Sequence, residues 1–312
     1  MRLALILALL CCAAACGGAQ KKPTTQALCE GTLPVGHGQP RASDWVQVLL
    51  KTDRRGDGLY ASRMCTGELI EHRALPAACE VQTPDPGVTD ATPLTEASVI
   101  ERILPEGRRL VWIMTHRFPN GDGFGPVAAA TIEQGQIRIG SVGLLRLRPM
   151  RVDLELWAIG QKAVLMAAGE SCKDPQRAST CRRAANLLVF DQGRFHSAPI
   201  RRSDTHECID APWVEFLREA DLTLENGWNR HMKIVTNINH DQRYVVVSEQ
   251  VDVADTDPAH TDVPARDVRR IDTERFIHVD GPYFYTRQSP LWPRIIPTQG
   301  RTQMLSNERS GF

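Results

Sequence analysis

The chain carries no net charge, with Lys and Arg together numbering 37 and Asp and Glu also 37. That balance removes the electrostatic footprint of a nucleic-acid-binding protein, and no nucleic-acid partner is expected. Beyond the N-terminus no window of 18 uncharged apolar residues occurs, so no further membrane pass is expected. Zinc spacings are missing too: there is no C-x-x-C, no H-x-x-x-H and no H-E-x-x-H, and His206-Glu207-Cys208 has no second ligand nearby. Gly140-Ser141-Val142-Gly143 is not a nucleophile elbow, because Ile139 stands where the first glycine belongs, and no S-x-x-K is present. No clean internal repeat appears, which argues against a complete propeller. No cofactor is implied, and catalytic residues are expected only if distant side chains converge.

What is present begins at the N-terminus. Arg2 is a short basic region, Leu3 to Leu10 is uncharged and apolar, and Cys11 to Ala15 continues in small residues. That stretch is too short to span a bilayer and has the flanks of a secretory signal over residues 1–15. Ala13-Ala14-Ala15-Cys16 resembles the lipobox of bacterial lipoproteins, with Ala13 in the place most often held by Leu. The resemblance implies that Cys16 becomes N-terminal and carries a diacylglycerol and an N-acyl chain, a stable membrane anchor. Gly17 follows the cysteine where the family's inner-membrane retention signal has Asp. The resemblance therefore implies the cell envelope: in a two-membrane cell, the outer membrane, facing the periplasm or the cell surface.

Of nine cysteines, Cys11 and Cys12 leave with the signal and Cys16 is the lipid site. The other six, an even number in an exported chain, read as disulfides. Cys172 and Cys181 bracket one short loop and are the first expected pair. Cys65–Cys79 is the next local pair, and Cys29–Cys208 then follows by elimination. A Cys172–Cys181 bond is worth about 2.5–3 kcal/mol on the chain-entropy model.

Residues 16–40, rich in Gly, Pro, Gln and Thr, read as a lipidated cysteine and flexible tether. Residues 41–290 read as a disulfide-stapled, mainly β body, with 41–205 and 206–290 as candidate halves, and 291–312 as a C-terminal arm and tail. WVQVLLK and LYASRMCTG read as strands joined by DRRGDG. Thr95 reads as the N-cap of one short helix near 95–104, stopped by Pro105. From Arg109 to Arg201 seven strands follow with short turns, an antiparallel meander suited to a sandwich, open barrel or partial propeller. A turn at Gln134-Gly135 sets Ile132 opposite Ile137 and Ala130 opposite Ile139. A turn at Pro149-Met150 sets Leu147 against Val152, Leu145 against Leu154 and Arg146 against Asp153. Three further strands follow Cys208. A bulge near Asn226-Gly227 is expected to oppose Leu222 to Met232, and Gly281-Pro282 turns a last hairpin.

Three acidic loops, at Asp53, at Asn120 and Asp122, and at Asp252, each break the calcium-loop pattern and serve as turns without an ion, so no metal is assigned. The glycine-rich loop THRFPNGDGFGP carries a candidate polar site of His116, Arg117, Asn120 and Asp122. The arginine doublets at 108–109, 182–183, 201–202 and 269–270 read as solvated strand ends. Tyr283, Phe284, Tyr285 and Trp292 form an aromatic cluster that either closes the β core or presents a platform. These features together point to a non-catalytic envelope lipoprotein whose β body binds a protein, glycan or cell-wall partner. An exported hydrolase with a loop-built active site is the alternative.

Overall fold

The computed structural model describes residues 27–290, except 35–37, 57, 75–78, 80–86, 88, 173–175, 177–180 and 225–226. The signal, Cys16, the tether up to residue 26 and the arm 291–312 with Trp292 lie outside the described residues. The elements run β1 (Cys29–Thr32), α1 (Ala42–Leu49), β2 (Leu50–Arg55), β3 (Gly58–Met64), β4 (Asp90–Ala91), β5 (Val99–Ile103), β6 (Arg109–Ile113) and β7 (His116–Arg117). The long strands β8 (Gly123–Glu133), β9 (Gln136–Leu147), β10 (Met150–Ile159), β11 (Lys162–Cys172) and β12 (Cys181–Asp191) come next. Four short ones follow: β13 (Arg194–His196), β14 (Ile200–Arg202), β15 (Cys208–Asp210) and β16 (Trp213–Glu215). The chain closes with β17 (Leu217–Thr223), β18 (Asn229–His240), β19 (Val245–Thr256), β20 (Arg266–Asp280) and β21 (Tyr283–Thr286). The body is mainly β, as its pattern of alternating apolar residues and turns implies.

The large sheet, ordered β10-β11-β12-β13-β9-β8-β6-β5, curls into a half-barrel. Its inside is filled by Leu110, Trp112, Val127, Leu145, Leu147, Leu154, Leu165, Leu188 and Phe195. Both faces of its central strands are buried, so β6, β8, β11 and β12 read as nearly continuous apolar runs. Trp45, Val48 and Leu49 of α1, with the β2–β3 hairpin, cover the outer face at Val111, Ile113, Ile137 and Ile139. A second sheet, β15-β14-β21-β20-β19-β18-β17, packs Val245, Val247, Ile277 and Phe284 over Val164, Leu187 and Val189. β1 lies inside the stretch read as tether, paired to β9. The sheets also interleave along the chain: β14 belongs to the second and β16 to the first.

The hairpin β8–β9 has the expected register, with Ile132 opposite Ile137 and Ala130 opposite Ile139. Gly281-Pro282 turns the last hairpin, with Asp280 opposite Tyr283. Four expectations fail for physical reasons. WVQVLLK does not begin as a strand: Asp44 accepts the Arg41 N–H at 2.8 Å and starts α1, which buries Trp45, Val48 and Leu49 on one face. The helix near 95–104 is only a 3-10 turn over Glu96–Ser98; the β-branched run after it becomes β5, paired to β6. β9 and β10 do not pair, since β8 holds one edge of β9 while β1 and β13 hold the other. Leu145, Leu147 and Leu154 meet across the interior of the curl instead. No bulge shifts β17 against β18: a longer connection, closed by Leu224 N–H to Trp228 C=O, opposes Ala220 to Met232 and Leu222 to Arg230.

Three disulfides staple the body. Cys172–Cys181 is as expected, between directly opposed residues of β11 and β12. The other pairing is corrected: the bonds are Cys29–Cys65 and Cys79–Cys208, not Cys65–Cys79 and Cys29–Cys208. Pairing of β1 with β9 brings Cys29 beneath the hairpin layer that carries Cys65, which proximity along the chain does not reveal. Closing the long span from Cys79 to Cys208 is worth about 5 kcal/mol on the loop-entropy model.

The curl depends on close backbone approaches. A Cβ on Gly125 would lie 2.0 Å from the Ile113 carbonyl oxygen, whereas one on Gly140 meets nothing nearer than 3.9 Å. Backbone cannot yield as a flexible side chain can, so Gly125→Ala should lose about 2–3 kcal/mol in urea denaturation. Gly140→Ala should stay within about 0.5 kcal/mol of wild type in the same measurement.

Candidate ligand cleft

The half-barrel has a seam. β12 pairs with β13 through Val189 and His196, and with β16 through Asn186 and Trp213. β13 continues to β9 by backbone hydrogen bonds, at Arg194–Val142 and Phe195–Gly143. Between β16 and β9, side chains make the connection. Arg146 on β9 lays its guanidinium 4.3 Å from the Trp213 ring centre. The Asn186 amide donates to the Arg146 carbonyl at 3.0 Å. Arg148 Nη2 meets Glu215 Oε1 at 2.6 Å.

Where the strands splay, a cleft of about 770 Å³ opens, within the range of small-molecule sites. Arg146, Asn186 and Trp213 line it, together with Phe195 and the segment from His196 to Pro199. Tyr283 comes from the second sheet, and His72 stands edge-on to Phe118 at 4.9 Å on the hairpin side. That side is a strap from Glu68 to Arg73 held by disulfides flanking it, Cys65 to Cys29 and Cys79 to Cys208. The lining charges balance: Arg73, Arg146 and Arg194 face Glu68, Glu71 and, behind Arg146, Asp122. Arg194 is paired with Glu68 across the rim.

A chain of buried charge runs from the cleft into the second sheet. Asp122 holds Arg146 through Nε at 2.8 Å and Nη2 at 2.6 Å. Arg218 Nε lies 3.6 Å from Glu215. Arg275 Nη1 donates to Asp210 at 2.9 Å, and its Nε lies 3.7 Å from Glu249. Burial pushes the Asp210 carboxyl up, and Arg275 beside it pulls it partly back. With Arg148 on Glu215, four arginines face four carboxylates, so the set is formally neutral.

The loop candidates are distributed differently from a shared site. Asp122 is 2% exposed, and its carboxylate is taken by Arg146 and by the Asn120 amide at 3.0 Å. Arg117 closes its own hairpin, donating to the Gly121 carbonyl at 3.4 Å. His116 turns to Thr115, with Nδ1 2.8 Å from its hydroxyl. Phe284 is fully buried in the core, while Tyr283 lies under Arg201 at 4.0 Å. Of the arginine doublets, Arg109 is not solvated: it is buried against Glu101. Among the described residues one three-member cluster has metal-ligand proximity, Glu170 with Cys172 and Cys181, and its two sulfurs are spent in a disulfide. Asp221, His231 and Thr256 line up as carboxylate, imidazole and hydroxyl, with His231 Nε2 2.9 Å from the Thr256 hydroxyl. Asp221 is 78% exposed at its side chain and His231 50%, so this row stands in open solvent, where a charge relay is screened.

The residues that build the cleft, Arg146, Asn186 and Trp213, were not singled out as a site from sequence. They lie 40 and 27 positions apart, and no spacing links them.

His116 offers a pH test. Burial, followed by the nearby Arg55 charge, holds its imidazole below the usual histidine range. The folded state then binds fewer protons than the unfolded one, so stability is lost as pH falls below about 6.5. His116→Gln should show a smaller fall in melting temperature than wild type between about pH 7.5 and about pH 5. No family model matches this chain, and no curated protein or solved structure matches it either.

Proposed function

We propose that this protein is a non-catalytic, lipid-anchored binding protein of the cell envelope, and that the cleft at the seam is its binding site. The single observation that carries the binding reading is the cleft itself: a walled hollow of about 770 Å³ in which aromatic, amide and charged groups converge. The chain on either side of the strap is cross-linked, Cys65 to Cys29 and Cys79 to Cys208. Preorganisation of that kind lowers the ordering cost of binding.

The anchor reading rests on Ala13-Ala14-Ala15-Cys16 and on the apolar stretch before it. Three disulfides fit an oxidising, extracytoplasmic compartment. No helix among the described residues is long and apolar enough to cross a membrane. The partner is expected to be an envelope glycan, protein or wall component reached from a body standing off the bilayer on residues 17–26.

Intact mass of the protein extracted from membranes of its native host tests the anchor. A diacyl or triacyl mass on Cys16 is expected, with a further rise of about six hydrogens on reduction, two per disulfide. A soluble species with unmodified Cys16 would overturn the anchor. The binding site is tested separately with a photo-crosslinking residue at Leu69, 45% exposed on the cleft rim, and another at Val268, 70% exposed on the second sheet. In native envelopes the Leu69 position should yield a discrete adduct and Val268 should not. Equal labelling at both positions, or none at Leu69, removes the cleft as the site.

A further inference from the structure

We propose that the cleft takes a neutral saccharide, read through the paired side chains of Asn186 and Trp213; this rests on the cleft being the binding site. Asn186 and Trp213 are direct cross-strand partners in β12 and β16, so their side chains leave the sheet on the same side. Both line the cleft, at 4% and 3% exposure. Each keeps one buried polar atom with no hydrogen-bond partner among the described residues: the Asn186 Oδ1 and the Trp213 Nε1. The Asn186 amide cannot be turned to exchange those roles. Its Nδ2 already donates to the Arg146 carbonyl, and a flip would set two oxygens against each other. The floor therefore holds one acceptor and one donor on paired strands, both buried beneath the cleft surface, for a ligand that settles onto Asn186 and Trp213 to meet.

Leaving such a pair unmet costs about 1–3 kcal/mol per group, so a ligand that meets both gains from each. A hydroxyl group donates and accepts from one atom, and neighbouring sugar hydroxyls do so from two. A carboxylate only accepts, and would be repelled by Oδ1. Charge points the same way. Of the lining arginines, Arg146 is paired with Asp122 and Arg194 with Glu68, and Arg73, exposed at the rim, is matched in number by Glu71, so the lining as a whole favours neither sign of charge. A peptide binding as an added strand needs an open edge. Along the seam the edge of β12 is taken by β13 and β16, and Leu187 N–H donates to the Pro212 carbonyl at 2.9 Å. The β9 edge beyond Gly143 and the outer edge of β16 carry no strand partner among the described residues, so a peptide strand is the rival occupant that the trialanine probe tests. His72 and Tyr283, both half-buried, place aromatic rings in the walls, with Arg201 over one face of Tyr283, and such rings suit the apolar side of a sugar.

Equilibrium dialysis of the detergent-solubilised full protein tests the assignment. The probes are four neutral disaccharides (maltose, cellobiose, lactose and diacetylchitobiose), maltobionate as the carboxylate counterpart of maltose, and trialanine. At least one neutral disaccharide should be retained, and maltobionate should bind more weakly than maltose or not at all. Trp213→Phe removes the donor while keeping a ring beneath Arg146, and should weaken the retained disaccharide about tenfold with little change in melting temperature. Asn186→Leu should weaken it as well; if that variant does not fold, Trp213→Phe alone decides. Retention of trialanine or maltobionate, sensitive to Trp213→Phe, with no neutral disaccharide retained, overturns the saccharide and leaves the cleft as the binding site. Disaccharide retention indifferent to Trp213→Phe overturns the assignment to this floor. No retention of any disaccharide overturns the saccharide, and the Leu69 adduct then reports whether the cleft is a site at all.

Discussion

Arg146 joins what the backbone leaves apart. Where β9 and β16 stop short of each other, its guanidinium stacks on Trp213, its Nε and Nη2 are gripped by Asp122, and its carbonyl accepts from Asn186. A buried guanidinium is tolerable only with its charge met and its planar face covered, and both conditions hold here. Asp122 is 2% exposed and depends on Arg146 in turn. Removing either partner strands a charge in the interior, a loss of about 3–5 kcal/mol and larger than most single contacts are worth. The buried chain continues through Glu215 and Arg218 towards Asp210, Glu249 and Arg275. The two sheets are thus tied by matched charge as well as by the apolar layer of Val245, Val247, Ile277 and Phe284.

That arrangement explains why a hollow exists at this place. A half-barrel with a full backbone ladder leaves no room between strands, because adjacent strands lie about 4.8 Å apart. Side-chain bridges span a wider gap. The seam is held open by Arg146 and Arg148 while β13 keeps the ladder closed at one end. Oxidised cysteines then fix the wall opposite: Cys79–Cys208 ties the strap to the second sheet and Cys29–Cys65 ties it to β1. Floor, walls and staples belong to different layers of the fold, and the cleft is a property of their assembly.

Polar residues divide into three roles that look alike in sequence. Asp122 and Arg109 are buried structural charges. Asp221, His231 and Thr256 form an exposed cross-strand row. Asn186 and Trp213 line a hollow, and each keeps a buried polar atom without a hydrogen-bond partner among the described residues. Burial and partner geometry separate these roles, and residue type does not. His116 shows the same point: on a glycine-bearing loop it reads as a site residue, yet its Nδ1 meets the Thr115 hydroxyl at the hairpin base.

Local chemistry was legible from the chain alone. Alternating apolar residues and a two-residue turn place Ile132 opposite Ile137, because a slip of one residue would expose that whole face. Cys172 and Cys181 find each other across one short loop for the same local reason. What failed was non-local. The Thr95 cap signal is real, but a single 3-10 turn satisfies it, and β6 then captures Val99–Ile103 as a strand. The β9–β10 hairpin has plausible facing pairs, yet β9 has no free edge once β1, β8 and β13 are in place. The pairing of Cys29 with Cys65, the burial of Asp122 and the meeting of Arg146, Asn186 and Trp213 have a common cause. Each depends on which strands become neighbours after the sheet curls, and strand order is settled by packing both faces of the sheet at once. The sequence by itself determined the β character, the local hairpins and the even set of cysteines; tertiary packing decided the seam, the staples around it and therefore the cleft.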